Sequence, residues 1–176
     1  DDAVAVDVAG VVKSFAGVEA LKGIDARILH GRLTGLVGPD GAGKTTLMRL
    51  MAGLMAPDAG TIRLAGVDVS HDRDRVAPSI GYMPQRFGLY EDLSVIENLR
   101  LYARLRGIAP RRAQPVFERL LGFTRLGPFT SRLAGRLSGG MKQKLGLACA
   151  LMGTPEVLLL DEPGVGVDPV SRQDLW

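Results

Sequence analysis

A chain of 176 residues with 46% hydrophobic and 23% charged side chains can build one substantial core, and no apolar run approaches the roughly 18 residues of a bilayer-spanning helix. The net charge of +3 and pI near 9.3 are mild, with Lys and Arg interspersed with acids, so nucleic-acid binding is not implied and Arg111-Arg112 reads as a solvated helix start. The single cysteine, Cys149, excludes an internal disulfide; among Leu147, Ala148, Ala150 and Leu151 it reads as a small core residue in a reducing compartment.

The chain opens on Asp1-Asp2 rather than on a basic-then-apolar leader, which predicts a cytosolic location. Val4, Val6 and Val8 alternate with Ala5, Asp7 and Ala9, the period-two pattern of a half-buried strand. Phe15 follows, beside the turn-forming Gly17. It reads either as a core aromatic or as a ring at a hairpin tip available to stack on a purine. Further strand is predicted over 21–29, broken at His30-Gly31, and again over 33–37.

Residues 38–46, Gly-Pro-Asp-Gly-Ala-Gly-Lys-Thr-Thr, lie between that strand-like run and a helix-like run. Gly38, Gly43, Lys44 and Thr45 satisfy the spacing of a phosphate-binding loop. Glycines at 38, 41 and 43 are expected to take backbone angles that let successive N–H groups face an anion. Lys44 adds a charge for outer phosphates, Thr45 a hydroxyl for Mg²⁺, and the next helix its positive dipole end.

That helix carries Leu47, Leu50, Met51 and Leu54 at helical spacing and stops near Gly53. The run Pro57-Asp58-Ala59-Gly60 predicts a turn, residues 61–64 a short strand, and residues 70–75 a polar surface in which His71 has no metal-ligating neighbour. A strand over 80–83 ends at Pro84-Gln85. Ser94 and Glu97 form a capping-box pattern before the stripe Val95, Leu99, Tyr102 and Leu105. Pro110 interrupts, and a second helix with Val116, Phe117, Leu120 and Leu121 is expected to end at Gly122.

Leu137-Ser138-Gly139-Gly140-Met141 opens another helix, with Ser138 as N-cap and an apolar face of Met141, Leu145, Ala148 and Leu151 or Met152. Its uncovered N–H groups read either as a second anion site or as an ordinary capped helix start. The run 157–160, Val-Leu-Leu-Leu, predicts a strand buried on both faces that ends at Asp161-Glu162. In a nucleotide site one such acid holds the Mg²⁺ shell and its neighbour orients or deprotonates a water. Asp161 is the metal-side candidate and Glu162 the candidate base.

With residues 38–45, Gln85, 137–141 and Asp161-Glu162 in this order, the chain resembles the ATPase subunit of ABC transporters over essentially its whole length. The Leu-Ser-Gly-Gly signature before an apolar run and Asp-Glu is specific to that class. The resemblance implies an α/β P-loop fold with an N-terminal antiparallel β subdomain and a helical insertion. Residues 1–88 would form the catalytic core, 89–152 the helical subdomain, and 153–176 the return to the core. Phe15 matches the aromatic that stacks on adenine. Gly38, Pro39, Asp40, Gly41, Ala42, Gly43, Lys44, Thr45 and Thr46 match the ATP phosphate loop. Gln85 matches the glutamine that senses Mg²⁺ and contacts the transport partner, and Asp168 matches an interface loop. A second ATPase domain pairs head to tail, so that Ser138, Gly139 and Gly140 of one domain face ATP held by the other.

The residues around the phosphate loop, 82–85, 90–95 and 161–172 look most like bacterial multidrug-type exporters. The implied function is therefore ATP hydrolysis driving export of a small molecule, at the cytoplasmic side of the inner membrane and with transmembrane permease subunits. Alternatives are a soluble ABC ATPase acting on ribosomes or nucleic acid, and a nucleotide-binding fragment without turnover. Met141 departs from the usual glutamine, Asp40 from the common asparagine, and Gly164-Val165 and Val167 from the usual Thr-Ser and Leu. Family members carry a switch histidine after the Asp168 loop, a position that neither His30 nor His71 can take. The expectation is a longer protein of which these 176 residues are part, inactive alone.

Overall fold

The valine-rich N-terminus forms β1 (Val4–Phe15), which turns at Ala16-Gly17 into β2 (Val18–Leu29). A computed structural model describes residues 3–85 and 88–163. The other edge of β1 pairs with β3 (Ala59–Leu64), which pairs in turn with the short β4 (Val67–Asp68). The sheet is antiparallel throughout, in the order β2-β1-β3-β4. Simple alternation in β1 fails because the β1–β2 register shifts between Val4 and Val6 and again between Val8 and Val11. Val4 is consequently exposed while Ala5, Val6, Val8 and Val11 are buried; each bulge moves the following residues to the other face.

The predicted strand over 33–37 does not form. Residues 33–39 have no regular structure, and Leu33 and Val37 are 87% and 94% exposed. Helix α1 (Lys44–Met51) follows, with Leu47, Leu50 and Met51 buried. It ends where expected: the Leu54 N–H donates to the Arg49 carbonyl across Gly53, whose φ is 68°. The predicted turn at 57–60 is already strand at Ala59-Gly60. A one-turn helix, α2 (Arg73–Val76), lies within the exposed polar run.

Two compact units divide the chain, Asp1–Ile80 and Gly81–Trp176. In the second, β5 (Ile80–Met83) and β6 (Val157–Leu160) are hydrogen-bonded neighbours, extended by the Asp161 N–H donating to the Met83 carbonyl. Val157 and Leu159 are buried but Leu158 and Leu160 only half-buried, so β6 is not covered on both faces as expected. Helices α3 (Val95–Leu105), α4 (Pro110–Thr124) and α5 (Gly139–Ala150) pack around Val95, Leu99, Phe117, Leu120, Leu145 and Met152. Strands and helices are mixed along the chain, the α/β class expected from the sequence.

Gly122 does not end α4. The helix runs to Thr124 and is closed by Arg125 in a left-handed conformation, φ 57°, as Leu126 enters the core. Cys149 is buried, and burial pushes its thiol up to about 12, as befits an inert core residue.

Candidate functional site

In the first unit the phosphate loop departs from the expected geometry at one glycine. Gly41 and Gly43 adopt φ of 78° and 86°, but Gly38 lies outside the left-handed region. A Cβ at Gly43 would stand 2.5 Å from the Ala20 carbonyl oxygen and 2.7 Å from Leu21 Cδ2, both on β2. Gly43 is therefore required for two reasons, conformation and close approach. It also serves as the N-cap of α1 without a side-chain hydrogen bond.

Residues 38–42 are exposed and Lys44, Thr45 and Thr46 half-buried. The Lys44 ammonium donates to the Gly38 carbonyl at 2.9 Å and the Pro39 carbonyl at 2.8 Å, folding the side chain over its own loop. Asp40 is exposed, so its negative charge is dissipated in solvent rather than buried beside the lysine. The loop thus offers a concentrated set of donors, held by backbone conformation more than by packing.

At the far end of the β1–β2 hairpin Phe15 is 46% exposed, which removes the core reading and leaves a ring at the surface. Lys13 holds it: the ammonium sits 5.7 Å from the ring centroid and pairs with Asp58 at 2.7 Å. Asp58 also accepts from the Ser14 N–H at 2.7 Å, and these two bonds, the Lys13 one first, keep its carboxyl below the usual range.

The second unit gathers a different set. Asp161 and Glu162 follow β6; Asp161 is buried and Glu162 half-buried with φ of 50°. The Gln85 amide Nε2 donates to Glu162 Oε2 at 2.7 Å, and the Tyr82 hydroxyl lies 3.4 Å from Asp161 Oδ2. Two sequence-predicted candidates, Gln85 and Glu162, are therefore in direct contact. Tyr82 was not singled out from the sequence, where it read only as a strand residue.

Ser138 caps α5 as expected, its hydroxyl accepting from the Met141 N–H at 3.3 Å. Ser138 and Gly139 are exposed and Gly140 is buried. Met141 packs on the helical core, which accounts for an apolar side chain at that position. The segment entering α5 is fastened to residues 90–94. Lys142 pairs with Glu91 at 2.7 Å, the Gly135 N–H donates to the Glu91 carbonyl, and the Ala134 N–H to the Leu93 carbonyl.

Asn98, fully buried in α3, completes this fastening: its amide nitrogen donates to the carbonyls of Tyr90, Leu93 and Ser94, and its oxygen accepts from the Tyr90 N–H. The sequence signal for it was an asparagine on the buried side of a helix, where a polar amide is costly unless every bond is made. Ser94 and Glu97 form the predicted reciprocal box, and Ser94 holds the Glu97 carboxyl below its usual range. Asp168 and residues 164–167, singled out from the sequence, lie outside the described residues.

A magnesium ion at such a site takes hard oxygen donors. Thr45 of the first unit carries a hydroxyl, and Gln85 and Asp161 of the second an amide carbonyl and a carboxylate, oxygen donors of the kind magnesium takes. Among the described residues there is no cluster of three His, Cys, Asp or Glu that would form an all-protein metal cage. Magnesium bound through one carboxylate and substrate phosphates needs none.

The chain is 60% identical over 169 residues to a probable multidrug ABC transporter ATP-binding protein, YbhF, of Escherichia coli (strain K12), covering 95% of this chain and 29% of that protein. It is 40% identical over 173 residues to the Nod factor export ATP-binding protein I of Rhizobium sp. (strain N33), covering 98% of this chain and 57% of that one. It therefore spans well under two thirds of either relative. A solved structure described as the ATP binding subunit of an ABC transporter superposes with a TM-score of 0.85 at 29% identity, over 97% of this chain and 71% of that chain. The profile of the ABC transporter family matches residues 21–165, and with that match spanning most of the sequence, the chain belongs to the ABC transporter family.

Proposed function

We propose that the protein to which this chain belongs binds and hydrolyses ATP to drive export of a small molecule through a membrane-embedded permease. The observation that carries the proposal is the phosphate loop itself: left-handed Gly41 and Gly43, an uncapped start to α1, and Lys44 folded over the loop carbonyls. The names of the relatives, a multidrug transporter ATP-binding protein and an export ATP-binding protein, support the transport reading.

In this reading Phe15 stacks on adenine and residues 38–46 hold the polyphosphate. Lys44 would exchange its two carbonyl partners for phosphate oxygens, and Thr45, Gln85 and Asp161 would hold Mg²⁺, which would neutralise phosphate charge. As the water oxygen bonds to the terminal phosphorus and the bond from that phosphorus to the ADP oxygen breaks, Glu162 accepts the water's proton. The Gln85 bond occupies one oxygen of Glu162 and leaves the other for that proton. Ser138, Gly139 and Gly140 face the nucleotide of a second ATPase domain in a head-to-tail pair. The assembly sits at the cytoplasmic face of the inner membrane. Among the described residues no helix is long and apolar enough to cross a membrane, so in this reading the membrane path belongs to the permease.

The test uses the full-length protein with its permease. Lys44→Ala is expected to abolish nucleotide binding measured with a fluorescent ATP analogue. Glu162→Gln is expected to retain binding while turnover falls by about 10²-fold or more, the scale of losing a general base. Unchanged hydrolysis by Glu162→Gln would remove that residue from its role, and ATP-independent export would end the transport reading.

A further inference from the structure

Charge is unevenly distributed along the chain. Between Glu97 and Glu156 there are eleven Lys and Arg against one acid, Glu118, although the whole chain carries 22 against 19. The interspersion read over the full length fails in this stretch, and the remainder of the chain is acidic overall. A local excess of this size sets up a field at the surface of the helical unit.

The excess is most concentrated where α3 hands over to α4. Helix α3 ends at Leu105, and the next begins at Pro110. The Ile108 N–H donates to the Ala103 carbonyl and the Gly107 N–H to the Arg104 carbonyl, closing a tight turn. Arg104, Arg111 and Arg112 are exposed around it, and none of the three forms an ion pair among the described residues. Leu105, beside them, is 70% exposed.

Local helix physics does not account for this arrangement. Arg104 at the end of α3 is favourably placed against the dipole, but Arg111 and Arg112 stand in the first turn of α4, which contains no acid. Cations there oppose the positive end of the helix. An arriving anion would relieve that opposition. Phosphate groups satisfy the guanidinium forks, and a hydrocarbon boundary beneath them takes the leucine. A nucleic-acid backbone would use the arginines and leave Leu105 in water.

We propose that this tip, Arg104, Leu105, Arg111 and Arg112, docks on the headgroups of an anionic phospholipid bilayer. The surface is independent of the nucleotide site, and the inference does not rest on the ATPase reading. It gives the helical unit a membrane contact of its own, in addition to whatever the permease provides.

The experiment is flotation of the full-length protein with vesicles of phosphatidylcholine alone or mixed with phosphatidylglycerol, at low and high salt. Binding is expected to the mixed vesicles, to be weak on phosphatidylcholine, and to be released by salt. Removing each arginine as Arg104→Gln, Arg111→Gln and Arg112→Gln should weaken it by about fivefold, and Leu105→Gln should weaken it further. ATP hydrolysis and circular dichroism report that the variants remain folded, since none of these residues is in the nucleotide machinery. Equal binding by the triple variant, equal binding to neutral vesicles, or no binding overturns the proposal. So does binding of RNA or polyglutamate in place of vesicles, lost in the triple variant, which would assign the tip to another partner.

Discussion

The starts of α1 and α5 are both glycine-rich helix N-termini, and they are built in opposite ways. Gly43 caps α1 without a side chain, behind an exposed loop held by left-handed glycines. Ser138 caps α5 with its hydroxyl, and the following turns sink into a core containing Leu145 and Met152. The first start has no side-chain cap, and Leu47, Leu50 and Met51 behind it are buried. The second has already used its third donor on Ser138 and is stabilised by burial. The α1 start is thus shaped by left-handed glycines, and the α5 start by a serine side chain.

Changes at the two starts should separate these modes. The largest effect on stability is expected from Leu145→Ala, about 3 kcal/mol for a fully buried leucine, measured by denaturant unfolding of the second unit. An effect below about 1 kcal/mol would mean that α5 is not secured by its core. Gly43→Ala forces a Cβ against the Ala20 carbonyl in a left-handed conformation, at about 1–2 kcal/mol for the backbone alone. Its main readout is nucleotide affinity, expected to fall by tenfold or more; an alanine loop that binds normally would show that the close approach to β2 is dispensable.

Ser138→Ala should cost about 1 kcal/mol of stability through the lost cap, seen by thermal unfolding. An unchanged melting curve would reduce Ser138 to a surface hydroxyl. The smallest effect concerns the box at the start of α3. Because Ser94 holds the Glu97 carboxyl below its usual range, the box contributes at pH values above the ordinary Glu pKa and is lost as pH falls through the lowered one. Glu97→Gln should therefore flatten the acid end of the stability–pH curve, and a curve with the same slope would deny the linkage.

Much of this was legible in the sequence where the governing interactions are local. The box at Ser94 and Glu97 and the cap at Ser138 depend on neighbours within a few residues and appear where spacing put them; strands 80–83 and 157–160 also appear as expected, although each is the other's distant partner. Features set by distant contacts were not legible. Gly122 looked like a helix stop, but burial of Leu126 carries α4 on to Arg125. The bulges of β1 depend on its register with β2, which no alternation pattern encodes. Residues 33–37 carry a strand-like pattern yet remain irregular and exposed, because composition favours a strand only where a partner pairs with it. Asn98 and Tyr82 were passed over because their meaning lies in partners outside their own elements: the 90–94 turn for one, Asp161 for the other.

The closeness of Gly43 to β2 has a consequence for nucleotide choice. Phe15 sits at the turn where β2 begins, and Ala20, the residue that abuts Gly43, lies early along that strand. One hairpin thus carries both an aromatic ring and the strand against which the glycine loop packs, as a ruler with a mark at each end. A ligand is measured against that interval before any of its base edges is read. In the proposed role, length from base to phosphate would be discriminated more sharply than base identity, and a hairpin lengthened between Phe15 and Ala20 would change the interval itself.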